Sequence, residues 1–291
     1  MSAEISSVAA ARTLSFDDHD REVAGMRYVY PVLSRRAEGV SLGINLNPNN
    51  ACNWHCAYCQ VPDLKRGAAP AIDLSRLEHE LSSMLEAMLH GDFLHRFAPE
   101  GMRILRDMAF SGNGEPTSSG QFADAVSLVG GIMERFGLVG RIPLRLITNG
   151  SYMSKGYVRQ GLSRMADLRG EVWIKVDAAD PASAKRINGV RLDADRLFEQ
   201  VATSAMHCPT WIQTCMVAWD EQEPGEELLE PYLALLRRFA TDGLPLEGVL
   251  LYSLARPSCQ RESSHVSPLP LTWLDSLADV IRAIGFSVKV F

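Results

Sequence analysis

Three features that would indicate a membrane or exported protein are missing from this 291-residue sequence. No apolar run approaches the roughly 20 residues that a helix needs to span a bilayer. Residues 1–12 lack the basic stretch and apolar core of a signal peptide. Cysteines are few, six in all, and without a sign of export they indicate metal or redox chemistry rather than disulfides. We therefore expect a cytoplasmic protein without membrane contact.

Positive charge is also in short supply. The sequence has 29 Lys and Arg against 35 Asp and Glu, a net charge of -6. Proteins that bind nucleic acid through its phosphates usually carry a basic surface, so the negative net charge disfavours nucleic acid as a partner. A local basic patch would still be compatible with such a partner. The hydrophobic fraction of 46% and charged fraction of 22% are ordinary for a globular protein.

Strand and helix patterns alternate from residue 41 onward, which predicts parallel pairing with right-handed crossovers. Strands are predicted near 42–47, 104–110, 143–148, 171–177, 210–218, 247–254 and 286–290. Helices are predicted near 73–89, 119–136, 154–167, 194–206, 226–241 and 270–284. Residues 1–39 are predicted to be an N-terminal extension. It contains an edge strand at 28–33 and the pair Arg35-Arg36, which is either a solvated surface pair or a contact for an anion.

One face of the predicted strands is polar. Side chains alternate between the two faces of a strand, and a closed eight-stranded barrel fills its interior with branched apolar residues. Here the inward parity includes Asn45, Asp107, Lys175 and Gln213. Buried without partners, such groups would cost several kcal/mol each. We predict an α/β fold, a partial (β/α)6 TIM-like barrel over residues 40–291, with an accessible polar cavity. The alternative is that each group is a satisfied core residue.

Half of the cysteines fall within eight residues directly after the first predicted strand, as Cys52, Cys56 and Cys59. A 4Fe-4S cube that serves only electron transfer usually takes four cysteines, so three would leave one iron open. An open coordination position distinguishes a reactive metal site from a structural one. A zinc site that includes His55 is the alternative, although His55 is adjacent to Cys56 and zinc ligands usually come as two separated pairs.

The three-cysteine motif resembles the signature of the radical S-adenosylmethionine (SAM) enzymes. This resemblance implies a 4Fe-4S cluster on the three cysteines whose open iron holds the amino and carboxylate groups of SAM. It also implies reductive cleavage of SAM to a 5′-deoxyadenosyl radical, which abstracts hydrogen from the substrate. The protein would then receive its electron from a flavodoxin or a ferredoxin.

By the same resemblance, a turn after the second predicted strand looks like the Gly-Gly-Glu motif that holds the SAM amino group. Its residues are Ser111, Gly112, Asn113, Gly114 and Glu115, with Asn113 where glycine is commoner. The resemblance implies further cofactor contacts from Tyr58 near the adenine, from Thr148 and Asn149 near the methionyl group or ribose, and from Asp177 near the ribose hydroxyls.

Two residues are candidates for catalysis. Lys175 would capture a substrate carboxylate, form a Schiff base, or make a structural ion pair with Asp177. Cys259, in the loop after the sixth predicted strand, is a candidate hydrogen-atom donor. In the same loop, Arg256 would clamp a carboxylate of the substrate or of SAM through its planar guanidinium, or stay at the surface.

The runs 43–48, 110–117, 147–150 and 252–257 look like the group that includes wyosine-base synthetases, which modify a guanosine in transfer RNA. That group carries a second cluster on N-terminal cysteines, whereas no cysteine precedes Cys52 here. Cys208, Cys215 and Cys259 could together bind an auxiliary cluster. The alternative, which we favour for Cys215, is a buried cysteine that packs as an apolar side chain. Three hypotheses follow: a radical SAM enzyme acting on a small or modest polar substrate, a tRNA-modifying enzyme, and a non-catalytic metal-binding scaffold.

Overall fold

The computed structural model describes residues 13–15, 24–34 and 38–291. Most of the predicted N-terminal extension, including Arg35-Arg36, lies outside these described residues. No helix in the described part of the chain is long and apolar enough to cross a membrane.

One eight-stranded sheet organises the fold, and each strand lies beside its neighbour in sequence. The strands are β1 (Val29–Ser34), β2 (Gly39–Ile44), β3 (Leu105–Phe110), β4 (Leu144–Thr148), β5 (Glu171–Lys175), β6 (Thr210–Cys215), β7 (Leu246–Tyr252) and β8 (Val288–Val290). β1 is antiparallel to β2, while β2 to β8 are parallel. The α/β prediction with parallel strands is confirmed, with β1 and β8 as the edges among the described residues.

Eight helices occur in the described part of the chain. They are α1 (Leu74–Leu89), α2 (Phe93–Phe97), α3 (Phe122–Arg135), α4 (Gly156–Asp167), α5 (Pro181–Asn188), α6 (Ala194–His207), α7 (Glu226–Thr241) and α8 (Leu271–Ile284). The six predicted helices are all present. The prediction missed α2 and α5 because both are too short to show a helical period. α5 nevertheless has clear end signals: Asp180 caps its first turn, Pro181 is at its first position, and Gly189 follows in the left-handed region.

The main hydrophobic core lies between the sheet and the helices. Outward-facing strand residues such as Leu42, Met108 and Ile212 are fully buried against helix residues such as Leu81 and Leu236. Burial of this kind is the dominant favourable contribution to folding. Inside the curved sheet there is a smaller apolar cluster of Trp173, Trp211 and Leu250.

A side chain of β1 covers part of the inner face of β2, the first parallel strand. Tyr30 lies over Gly43, where an added Cβ would be 2.1 Å from the Tyr30 ring. The Tyr30 hydroxyl and the Ser111 Oγ are 2.8 Å apart and form a hydrogen bond. The predicted edge strand is therefore part of the main sheet. The predicted domain division at residue 39 stays a prediction.

A closed polar network fills the interior at the N-terminal ends of the strands, below the tryptophans. Asp107 accepts from Ser41 and from Arg145, and the Arg145 Nε donates to Glu171 Oε1 at 2.6 Å. The indole nitrogens of both tryptophans also donate to Glu171, each at 3.2 Å. For Asp107 the satisfied-core alternative is therefore correct, and the accessible cavity begins above this network.

Candidate functional site

A cavity of about 320 Å³ lies at the C-terminal ends of the strands. Most of the predicted site residues line it: Cys52, Cys56, Tyr58, Cys59, Ser111, Gly112, Gly114, Glu115, Thr148, Asn149, Lys175 and Arg256. Three predicted residues, Asn113, Asp177 and Cys259, are not among the residues that line it. Parallel strands bring their carboxyl ends to one edge of the sheet, which is why residues 200 positions apart meet here.

The cysteine loop is held from two sides. On one side, His55 N donates to Asn188 O at 3.0 Å, and Ala57 N donates to Ile187 O at 2.7 Å, at the end of α5. On the other side, Ser258 Oγ donates to the carbonyl of Ala57 at 2.7 Å. These hydrogen bonds to the loop backbone fix the path of a loop that has almost no regular structure of its own.

The three thiols of this loop share a partly buried environment. All three are free and half-buried, whereas Cys208 and Cys215 are buried and Cys259 is exposed. Burial raises the pKa of Cys52 above its usual range, and burial also raises the pKa of Cys56 to about 12. Bound metal would reverse this trend, because its positive charge stabilises thiolates.

The three thiols supply the donors that a cluster needs. Cys52, Cys56 and Cys59 all line the same cavity, and in a 4Fe-4S cube each cysteine binds a different iron. Among the described residues, no three His, Cys, Asp or Glu side chains are arranged to hold one metal ion.

Glu115 ties together two segments that sequence analysis could only treat as separate motifs. It is buried, and its carboxylate accepts hydrogen bonds from Thr117 N at 3.0 Å, from Thr148 Oγ1 at 2.6 Å and from Asn149 N at 2.6 Å. Burial raises the pKa of Glu115, and these donors oppose the rise. The carboxylate thus positions the ends of β3 and β4 around the cavity.

The glycines of the 111–115 turn allow it to touch the cysteine loop. A Cβ on Gly114 would lie 2.0 Å from Ala51 O, and a Cβ on Gly112 would lie 2.4 Å from Asn45 Oδ1. Asn113, between them, donates from its backbone N to Asn45 Oδ1 at 3.1 Å and from Nδ2 to Asn50 Oδ1 at 2.6 Å. The residue that departs from the commoner glycine therefore braces the turn.

Asp177 supports the site from behind. Its carboxylate accepts from the Tyr58 hydroxyl, from Asn188 Nδ2 at 2.7 Å and from Cys215 N at 2.8 Å. Asp177 is not among the residues that line the cavity, and its predicted contact with a ribose stays a prediction. What the structure assigns to it is the orientation of Tyr58.

The ammonium of Lys175 lies between two phenol rings. Its Nζ is 4.9 Å from the Tyr58 ring centroid and 3.2 Å from the Tyr252 hydroxyl. Burial alone would lower the pKa of Lys175, but the negative charge of Asp177 and the neighbouring phenol of Tyr252 outweigh it, and the pKa is raised. A protonated amine suits attraction of an anionic group rather than Schiff-base formation, which needs the free amine.

The loop after β7 separates the two residues that were predicted there. Arg256 lines the cavity. Cys259 instead lines a neighbouring groove on the outer side of the cysteine loop, where its backbone N donates to Cys59 O at 2.9 Å. Its predicted role in hydrogen-atom donation stays a prediction, as does an auxiliary cluster with Cys208 and Cys215.

Sequence analysis missed the role of Asn188, and it recognised Gln213 only as inward-facing. Asn188 Nδ2 is 3.4 Å from Cys56 Sγ, and no pattern near it marked it out except the end signals of α5. Gln213 is 3% exposed and lines the cavity, and its Oε1 has no hydrogen-bond partner among the described residues. A buried, unpartnered amide oxygen at a cavity wall is a candidate substrate contact.

Comparison with known proteins places the fold. No family model matches this chain. A curated protein named GTPase Obg, from Brachyspira hyodysenteriae, is 29% identical over 138 residues, which are 47% of this chain and 17% of that protein. A radical SAM methyltransferase from Sphaerobacter thermophilus superposes with a TM-score of 0.57 at 13% identity, over 90% of this chain and 68% of that one. The chain has the fold of radical SAM enzymes.

Two further solved structures agree with this. SuiB from Streptococcus suis, bound to S-adenosylmethionine, has a TM-score of 0.56 at 12% identity, over 88% of this chain and 52% of its own length. A spore photoproduct lyase variant with bound AdoMet and a dinucleoside spore photoproduct has a TM-score of 0.54 at 11% identity, over 89% of this chain and 77% of that one. The predicted likeness to the wyosine group stays a prediction.

Proposed function

We propose that this protein is a radical SAM enzyme acting on a small or modest polar substrate. The observation that carries the proposal is the convergence on one cavity of three elements. They are the free thiols of Cys52, Cys56 and Cys59, the turn that ends in Glu115, and the end of β4 at Thr148 and Asn149. The three elements lie far apart in the sequence, so their meeting at one cavity is a property of the fold.

In this proposal the three thiolates hold a 4Fe-4S cluster, and the backbone of the 111–115 turn faces the amino group of SAM. When bound, the cluster supplies one electron that cleaves SAM and generates a 5′-deoxyadenosyl radical able to abstract hydrogen from the substrate. The chain contributes ligation, orientation and the exclusion of water. The Glu115 hydrogen bonds keep the ligand-binding turn and the end of β4 in a fixed relation.

Two cations that line the cavity support a substrate with an anionic group. Lys175 and Arg256 both line it, and the raised pKa of Lys175 keeps its amine charged at neutral pH. The unpartnered Gln213 Oε1 adds an acceptor for a substrate N–H or O–H. A substrate that pairs with these groups would place one C–H bond near the reactive end of the cavity, as hydrogen abstraction requires.

The test is anaerobic reconstitution followed by reduction with dithionite and addition of SAM. The wild type should form 5′-deoxyadenosine, and Cys56→Ala should not. Cys208→Ala is the matched control, because Cys208 is also a free cysteine but lies at the other end of the sheet, with its thiol 3.4 Å from Gly170 O. Cys208→Ala should retain iron content and SAM cleavage.

The other outcomes separate the alternatives. A wild type that loads and reduces a cluster but neither binds nor cleaves SAM would contradict the proposal and favour a non-catalytic scaffold. One zinc ion per chain, lost in Cys56→Ala and not replaced by iron, would favour the zinc site. If cleavage occurs, polar metabolites and bulk tRNA are the first substrates to compare, and product in tRNA alone would favour the nucleic-acid hypothesis.

A further inference from the structure

A basic surface lies against the outer side of the cysteine loop. Two adjoining grooves of about 580 and 510 Å³ share Arg66, Lys185 and Gly189. Together they contain the exposed cations Arg66, Lys185, Arg186, Arg191, Arg196 and Arg261, which we call the basic groove. In a chain with a net charge of -6, six cations on one surface are a pronounced local reversal of sign.

Little negative charge neutralises this surface. The grooves include two acids, Asp63 and Glu262, and Glu262 already pairs with Arg261 at 2.6 Å and with His55 at 3.7 Å. Within the described part of the chain, Lys185, Arg191 and Arg196 form no ion pair. Unneutralised charges of one sign around a groove attract an oppositely charged partner and accelerate its association.

The basic groove touches the cysteine loop directly. Arg66 donates from Nη1 to Asn53 O at 2.7 Å and from Nη2 to Gly189 O at 2.6 Å. Gly189 is packed so closely that an added Cβ would lie 2.7 Å from His55 O. A partner in this groove therefore lies beside Asn53 and His55, which are the sequence neighbours of Cys52 and Cys56.

The cations of the groove are separate from the central cavity. None of the six lines that cavity, which shares only Trp54 with the first groove and only Leu64 with the second. A polynucleotide substrate would have to insert a base into the cavity, whose lining has only Lys175 and Arg256 as cations. A partner that needs proximity to the cysteine loop, without access to the substrate, fits the groove better.

We infer that the basic groove is the docking surface for an acidic one-electron carrier protein. This inference rests on the proposed function, since it is the cluster on the cysteine loop that would receive the electron. Each encounter oxidises the carrier by one electron and reduces the cluster by one; no bond is made or broken at the surface. Charge pairing positions the carrier next to Trp54 and His55, on the outer side of the thiols.

The experiment uses flavodoxin and a bacterial ferredoxin as probes. The groove variant is Lys185→Glu, Arg191→Glu and Arg196→Glu together. Arg66 is left unchanged because it holds the loop. Arg196→Glu places a glutamate three residues after the N-cap Asp193, where it is favoured, so the helix should persist. The control, Arg106→Glu with Arg141→Glu and Arg237→Glu, makes the same charge change on exposed residues outside the groove.

We expect the dissociation constant for at least one carrier to rise at least tenfold in the groove variant and less than twofold in the control. Raising the salt concentration from about 50 to about 300 mM should weaken wild-type binding in the same way, because exposed charges are screened. SAM cleavage driven by the reduced carrier should fall at least tenfold. Cleavage driven by dithionite should stay within twofold, because dithionite needs no docking surface.

Failure of the inference and failure of the proposed function give different results. Wild-type SAM cleavage with dithionite but no binding of either carrier, or binding that the groove variant retains, would overturn the docking surface alone. Loss of bulk tRNA binding in the groove variant, with carrier affinity unchanged, would reassign the groove to nucleic acid. Groove-dependent carrier binding without any SAM cleavage would support the surface and contradict the radical SAM chemistry.

Discussion

Both ends of the barrel interior contain inward-facing polar residues, but these residues have different partners at the two ends. At the N-terminal end, Asp107, Arg145 and Glu171 bond to one another and to two indole nitrogens. At the C-terminal end, Lys175 faces phenol rings and Gln213 Oε1 has no partner among the described residues. The difference indicates that the lower network is structural, whereas the upper level keeps one buried acceptor, Gln213 Oε1, for a ligand.

The comparison also shows why polarity alone is a poor guide to function. All of these residues share the inward parity of their strands, so the sequence cannot separate them. The structural and the available residues differ in whether a neighbouring strand supplies a hydrogen-bond or ion-pair partner at the same level of the sheet. β3, β4 and β5 do so at the lower level, where Ala109 is in register with Arg145, and Arg145 with Glu171.

The largest effect should come from the lower network. Arg145→Met leaves two mostly buried carboxylates without their shared cation, because Arg145, Asp107 and Glu171 side chains are 18%, 3% and 23% exposed. We expect the free energy of unfolding to fall by about 3 kcal/mol, as measured by urea denaturation. SAM affinity of the folded protein should change less than twofold. A fall below about 1 kcal/mol would show that the network is not structural.

A smaller loss of stability, with a large loss of function, is expected at the turn beside the cysteine loop. In Gly114→Ala the new Cβ would lie 2.0 Å from Ala51 O, so the turn must move away from the loop. We expect SAM affinity, measured by calorimetry on the reconstituted protein, to fall at least tenfold. Gly131→Ala is the matched control, since nothing lies within 4 Å of its Cβ, and it should be neutral or slightly stabilising.

A modest effect is expected when the contact between α5 and the cysteine loop is removed. Asn188→Ala deletes the donor to Cys56 Sγ and one of the three donors to Asp177. Groups that orient metal ligands typically contribute 10- to 100-fold in metal affinity. We expect at least tenfold faster loss of iron to a chelator than in the wild type. Equal rates of loss would show that Asn188 supports the loop only through its backbone.

Lys175→Met is the counterpart of Arg145→Met and should destabilise the fold less. It removes a cation near one buried carboxylate, Asp177, which keeps its three hydrogen-bond donors. Arg145→Met instead deprives two carboxylates of a cation bonded directly to both, so we expect the free energy of unfolding to fall by less in Lys175→Met, as measured by urea denaturation. A loss as large as that of Arg145→Met would make Lys175 part of the structural framework.

The smallest change in stability should come from two buried glutamines. The Oε1 atoms of Gln213 and Gln200 both lack a partner among the described residues, but only Gln213 lines the cavity. Each Gln→Leu variant should be neutral or up to about 1 kcal/mol more stable. In a thermal-shift screen of polar metabolites, compounds that stabilise the wild type should still stabilise Gln200→Leu but not Gln213→Leu. Retention in both variants would exclude Gln213 as a ligand contact.

Much of this architecture could be predicted from the sequence. The alternation of strand and helix patterns identified every parallel strand from β2 to β8 and six of the eight helices, because long elements with a regular apolar period carry their own signal. The spacing of Cys52, Cys56 and Cys59 is also a local property and identified one loop of the cavity. The turn ending in Glu115 was assigned to the same cavity only because it resembles a motif of the radical SAM enzymes.

The tertiary structure decided which of these groups face one another. Asp107 and Lys175 are equally polar and equally inward, yet one is neutralised by Arg145 and the other borders the cavity. Likewise, the cations of α5 and the following loop form a groove only because α5 ends against the cysteine loop, at Asn188. Pairing across strands and helices depends on distances in space, and a single sequence encodes those distances only through the complete fold.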